Sequence, residues 1–245
     1  LAATLIGIFF VIRTAGPADQ VPQDQPGPIL MIPGLGGSTS GLTVLAERLR
    51  DDGRDVTVME LPGDGRGDLR EQARALEDEV TAALSRTAAP SVDLVGYSAG
   101  GIVARIWVAD FGGDELARRI VTLGSPHHGT QLASIAGDLA PAACVACAQI
   151  APDSDLLREL NSGDETPAGP EYVTIWTSLD ETVLPPESAQ LDGALEVPVQ
   201  SICADSPITH GQLPGDALVG EIVAEQLGPD PPGELSIADC DRLSS

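Results

Sequence analysis

"VDLVGYSAGG", Val92 to Gly101, is the stretch on which the reading of the whole chain turns. An apolar run ends in Gly96-Tyr97-Ser98-Ala99-Gly100. A helical pattern starts straight after it, apolar at Ile102, Val103, Ile106 and Trp107. The G-x-S-x-G spacing suits a serine in a sharp strand-to-helix turn, because small residues on both flanks let neighbouring backbone approach. Such a turn leaves the hydroxyl exposed at the end of a sheet. It also sets it beside a helix N-terminus, which favours developing negative charge. The five-residue pattern recurs by chance in Gly- and Ser-rich chains, so its weight comes from the strand before it and the helix after it. Ser98 is the candidate nucleophile.

Working outward, short apolar runs alternate with amphipathic ones. "PILMIP" (28–33), "DVTVMELP" (55–62), "SVDLVGYS" (91–98), "RRIVTLGS" (118–125), "EYVTIWTSLD" (171–180) and "VPVQSICAD" (197–205) read as strands, the first as one buried on both faces. "GLTVLAERLRDDG" has helical spacing through Leu42, Leu45, Ala46 and Leu49, with Gly53 as a stop. "DLREQARALEDEVTAALSR" is apolar at Leu69, Ala73, Leu76, Val80 and Leu84, and a last helix covers about 215–227. This alternation predicts an α/β fold, a mostly parallel sheet of about six strands with helices on both faces, over residues 29–228. Ligands of such sheets bind at the carboxyl ends of the strands. From about 129 to 170 the alternation breaks, and apolar residues such as Leu132, Ile135, Leu139, Val145 and Ile150 stand among Pro, Gly and Asp. A stretch this long inside a domain is expected to be a lid insertion.

The bulk composition narrows the class. With 245 residues, 42% of them hydrophobic, the chain can bury one large core. Its net charge is −24, and all 13 basic residues are arginine. A surface this acidic repels phosphate backbones, so nucleic acid is excluded as a partner. "LAATLIGIFFVI" opens the chain as an apolar run that ends at Arg13, too short for the roughly 20 residues that span a bilayer. Residues 1–15 are expected to be a signal or anchor remnant, 16–28 a linker and 229–245 a polar tail on the surface. A secreted or extracytoplasmic protein follows, with a membrane anchor at its N-terminus as one form. Cys144, Cys147, Cys203 and Cys240 fit export as disulfides. Three pairings exist, and the favoured one joins Cys144 to Cys147 and Cys203 to Cys240. No metal site is expected, because "CVAC" has no further Cys or His at ligand spacing.

A serine hydroxyl needs a base, and the chain offers only His127, His128 and His210. In this arrangement the order is Ser, acid, His, with the histidine beyond the last strand, which selects His210. His127 and His128 fall in "GSPHHGT", too early for the base, and are expected to line the substrate site at its rim. The acid should follow the fifth strand, where "TSLDETVLPP" places Asp180; Asp205 and Glu181 are its rivals. The oxyanion donors should be the backbone N–H groups of Ala99 and of Leu35, aimed by "IPGLGGSTSG". Gly34 and Tyr97 are expected against the substrate. The glycine-rich loop lacks the lysine of a phosphate-cradling loop.

"MIPGLGG", "VDLVGYSAGGIVAR", "VTLGSPHHGT", "TSLDETVLPP" and the late His210 together resemble the exported bacterial lipases and esterases of the α/β-hydrolase superfamily. The resemblance spans most of 28–227 and implies triacylglycerol or simple-ester hydrolysis without a cofactor; the expected partner is a small-molecule or lipid ester, and the expected state a monomer. Carried over, it puts the nucleophile at Ser98, the acid at Asp180, the base at His210 and the oxyanion donors at Leu35 and Ala99. Relatives often start the oxyanion loop with His-Gly; here Pro33-Gly34 stands instead. Two other readings share these residues. An acyltransferase would use the same three side chains. A surface protein that binds lipid or polymer without catalysis would have lost one of them, and none is lost.

Overall fold

The fold is described from a computed structural model covering residues 21–139 and 143–244. The expected apolar leader and residues 16–20 of the expected linker lie outside the described residues. Of that linker, Val21, Gly27 and Pro28 are buried against the domain.

β1 (Ile29–Ile32), β2 (Val56–Val58), β3 (Val92–Tyr97), β4 (Ala117–Leu123), β5 (Glu171–Trp176) and β6 (Leu195–Pro198) form one sheet. Its order is β2-β1-β3-β4-β5-β6, and every neighbouring pair is parallel. The register aligns Ile32 with Gly96, Tyr97 with Leu123, Leu123 with Ile175 and Trp176 with Pro198. The loops that leave these carboxyl ends therefore start side by side.

Parallel strands need crossovers, and the amphipathic segments supply them. α1 (Ser40–Asp51), α2 (Leu69–Thr87), α3 (Ala99–Phe111) and α8 (Ala217–Gln226) flank the sheet. α2 and α3 bury Leu69, Leu76, Val80, Ile102, Ile106 and Trp107 against Leu30, Leu94 and Ile120 on one face. α1 and α8 bury Leu42, Leu45, Leu49, Val219 and Ile222 against Ile29, Met31, Val95 and Val121 on the other. Neighbouring residues of one strand thus feed opposite layers, as the pleat requires. Asp68 caps α2 by accepting from the Arg70 N–H at 2.7 Å.

The sixth strand departs from expectation. It begins at Leu195, and Val199–Ile202, read as strand, forms the short helix α7. Pro198 has no N–H for the ladder and stands at the start of that turn. Val199 and Ile202 are buried either way, so an apolar run could not tell the two geometries apart.

At the amino edge of the sheet, Asp93 takes Arg118 through both carboxylate oxygens at 2.8 Å each and Arg54 at 2.8 Å. Arg118 also donates to the carbonyls of Gln23, Leu227 and Gly228, and Arg119 to those of Gln226 and Gly228. The Gln226, Leu227 and Gly228 carbonyls lie at the end of α8, where cationic donors are favoured.

Between β4 and β5 lie α4 (Gln131–Leu139), α5 (Val145–Gln149) and α6 (Asp155–Leu160). Ala146, Ile150, Leu156 and Leu157 join the layer of α2 and α3. Gln149 accepts the Leu69 N–H at 2.8 Å, which ties α5 to the start of α2. α4 instead exposes Leu132 and Ile135. Both expected disulfides are present, Cys144–Cys147 and Cys203–Cys240. The second holds the tail helix α9 (Cys240–Leu243), whose Leu243 is buried in the layer of α1 and α8.

Candidate active site

Ser98 sits between β3 and α3 with φ 52° and ψ −124°, a left-handed backbone that a non-glycine residue rarely adopts. The turn is held because Ser98 N–H donates to the Leu123 carbonyl at 2.9 Å and its own carbonyl accepts from Gly101 at 3.1 Å. The flanking glycine is sterically required: a Cβ on Gly100 would lie 2.3 Å from the Ile32 carbonyl oxygen. The hydroxyl is thereby fixed at the carboxyl edge of the sheet, beside the first turn of a 13-residue helix.

His210 and Asp180 meet it there. His210 Nε2 is 3.1 Å from Ser98 Oγ, and His210 Nδ1 is 2.7 Å from Asp180 Oδ2. Asp180 follows β5, and its Oδ1 accepts the N–H groups of Thr182 and Val183 at 2.8 and 2.7 Å. All three side chains are buried, with relative exposures of 9% for Ser98, 5% for Asp180 and 4% for His210. A hydroxyl, an imidazole and a carboxylate in this sequence allow proton removal from the hydroxyl, with the resulting imidazolium stabilised by the acid. Asp205, the main rival, is exposed on the loop before His210.

Tyr97 lies against the imidazole, with ring centroids 5.2 Å apart, and its hydroxyl donates to the His210 carbonyl at 3.4 Å. Burial, with the nearby charges of Asp180 and Glu181, pushes the Tyr97 phenol up to about 12, so it stays a donor at neutral pH. Gly34 packs on the serine: a Cβ there would lie 2.9 Å from Ser98 Cβ. Leu35, the next residue, is partly exposed, and Ala99 opens α3.

The two histidines of "GSPHHGT" differ from each other. His127 has 0% exposure, so its side chain has no free surface with which to line a rim. Its Nε2 is 3.1 Å from Thr122 Oγ1, and its carbonyl accepts from Asn161 Nδ2 at 3.0 Å. Burial, helped by the Arg105 charge, holds its imidazole well below the usual histidine range, so it is neutral. His128 is half exposed, and its Nε2 is 3.0 Å from Glu165 Oε1 in the insertion.

Three further residues shape this corner without having been expected in the site. Gly124, at the end of β4, has φ 56°, and a Cβ there would lie 3.1 Å from His210 Nδ1 and 3.3 Å from Asp180 Oδ2. Thr177 Oγ1 donates to the Ile208 carbonyl at 2.6 Å, linking the acid loop to the base loop. Gln200 bridges the same loops: its Oε1 accepts the Ser178 N–H at 2.9 Å, and its Nε2 donates to the Ser206 carbonyl at 3.2 Å. The glycine of "TLGSPHH" was the one available signal, since it stands where a strand ends at the predicted site. Thr177 and Gln200 are ordinary polar residues whose contacts depend on the fold.

The parallel sheet, its flanking helices and the loops at its carboxyl ends have the architecture of the α/β-hydrolase fold. Residues 27–142 match a family model described as alpha/beta hydrolase fold. Over 122 residues the chain is 30% identical to a triacylglycerol lipase of Pseudarthrobacter phenanthrenivorans and to another of Burkholderia plantarii. Each match covers 46% of this chain, and 37% and 33% of the two lipases, so the chain matches only about a third of those relatives' length. Among solved structures it is similar to lipase B of Aspergillus fumigatus, with a TM-score of 0.75 at 20% identity, covering 93% of this chain and 59% of that one. It is also similar to the lipase BlEst2 of Bacillus licheniformis, with a TM-score of 0.71 at 20% identity, covering 90% and 54%. Both structural likenesses concern the fold.

Proposed function

We propose that the protein is a serine carboxylic-ester hydrolase of the lipase/esterase type, acting through an acyl-enzyme on Ser98. The observation that carries the reading is the continuous chain from Ser98 Oγ to His210 to Asp180. The triacylglycerol lipases that share part of the sequence support the ester substrate class.

In this reading His210 Nε2 takes the Ser98 proton as the oxygen attacks the ester carbonyl. Asp180 holds the Nδ1–H tautomer and stabilises the imidazolium. The backbone N–H groups of Leu35 and Ala99 receive the oxyanion, each worth about 3 kcal/mol in the transition state. His210 returns its proton to the departing alcohol. Water, deprotonated by His210 in turn, attacks the acyl carbonyl and releases the acid, which restores Ser98. Gly34 and Tyr97 bound the substrate, His128 stands at the foot of the insertion, and no cofactor takes part. The exposed apolar side chains of α4 cover the acyl chain as a lid. Export is supported by the two disulfides, and no helix among the described residues is long and apolar enough to cross a membrane.

A p-nitrophenyl ester series from short to long acyl chains tests the proposal, with Ser98→Ala as control. Hydrolysis that vanishes in the control, with fluorophosphonate label on Ser98 of the wild type, is the expected result. An intact, folded protein that takes no label and cleaves no ester overturns it. Acyl transfer to an added alcohol in preference to water would make it an acyltransferase.

A further inference from the structure

We infer that Glu181 is a positioning residue that fixes the main chain of His210 through its carboxylate. The inference rests on the hydrolase reading above and adds a residue to it. His210 opens a short 3-10 helix, His210–Gly215, where the first N–H groups have no carbonyl within the helix to meet. The residue before it is served locally: Thr209 N–H donates to Gln212 Oε1 at 2.9 Å. The His210 N–H is not. It donates to Glu181 Oε2 at 3.2 Å, across from a different loop.

Asp180 and Glu181 are consecutive, so one loop grips the base at two points. Asp180 holds the ring at Nδ1, and Glu181 holds the backbone from which the ring hangs. A shift of the His210 main chain tilts the ring about its Nδ1 contact and carries Nε2 off the serine oxygen. The Glu181 bond to the His210 N–H opposes that shift. The loop can act as a rigid grip because Asp180 Oδ1 also ties down Thr182 and Val183 next to it. On the far side, Tyr97 holds the His210 carbonyl, so both polar groups of that peptide segment are engaged. Glu181 touches neither the reacting oxygen nor the imidazole nitrogens in this network. Its side chain is exposed, so its removal leaves no buried group of its own unpaired.

The test uses the full chain and p-nitrophenyl butyrate. Glu181→Ala is expected to lower kcat between about tenfold and a hundredfold, the scale of a displaced catalytic group, with KM within about twofold. Glu181→Gln keeps an acceptor oxygen at the same reach and is expected to recover most of that loss. The rate of fluorophosphonate labelling should fall and recover in step. An unchanged kcat in Glu181→Ala overturns the inference, and so does a Glu181→Gln variant as slow as the alanine one. The contact also has a readout without substrate. The His210 amide hydrogen should exchange slowly in the wild type and in Glu181→Gln and quickly in Glu181→Ala; equal exchange in all three overturns the inference even if the wild type cleaves no ester. Wild-type protein that is inert to ester and probe, but shows the expected exchange pattern, would overturn the hydrolase reading alone.

Discussion

The corner that joins β5 to the last helix and the insertion between β4 and β5 lie close together and are built differently. In the corner, Asp180, His210, Thr177 and Gln200 are tied by directed hydrogen bonds, and nearly every polar group has a named partner. In the insertion, Gln149 and Asn161 still tie α5 and the end of α6 to the body, but α4 leaves its apolar Leu132 and Ile135 43% and 57% exposed. Hydrogen bonds fix angle and distance, whereas apolar contacts fix little beyond proximity. The first construction suits groups that must hold an angstrom-scale alignment. The second suits a surface that meets variable apolar substrate.

The sharpest break of that contrast is Asp180→Asn against Asp205→Asn. The first should lower kcat by about 10⁴-fold with the fold retained, since an amide holds the wrong tautomer. The second should change little. The reverse result, read in steady-state kinetics, would move the acid to the other loop. Next comes Gly124→Ala. A methyl there enters the space of the acid–base pair and imposes a left-handed backbone on alanine, at about 1–2 kcal/mol. Turnover should fall by up to about a hundredfold, more than the modest drop in melting temperature would suggest. A variant with wild-type kcat would mean that the corner tolerates displacement.

Thr177→Val should cost about 1–3 kcal/mol in a urea titration, because the Ile208 carbonyl and the Gln200 amide lose a buried partner. Smallest is Ile135→Ser on the exposed face of α4. Stability should stay within about 0.5 kcal/mol, while the ratio of long-chain to short-chain ester turnover drops. An unchanged ratio would detach the insertion from acyl recognition.

Much of the sheet could be read before any coordinates, because a strand buried on both faces leaves an unbroken apolar run and the helices between leave a 3.6-residue stripe. The positions of Ser98, Asp180 and His210 followed from that frame, since each lies just past an expected strand or before an expected helix. What failed to show was of a different kind. The α7 turn was hidden because Val199 and Ile202 serve the core equally as strand or helix. The burial of His127 was hidden because its immediate neighbours in sequence look like a loop, while Thr122 and Asn161 enclose it from other elements. Thr177 and Gln200 matter chiefly through Ile208 and Ser178, partners some twenty to thirty residues away.

The arginine cluster at the amino edge has a practical side. Arg118 binds the carbonyl of Gln23, so the chain ahead of the first strand leaves from the end of the sheet remote from Ser98. A support attached at the exposed Asp24, beside that edge, would hold each molecule with its nucleophile facing outward into the bulk phase. Immobilised through that end, the protein keeps its reactive mouth clear of the matrix.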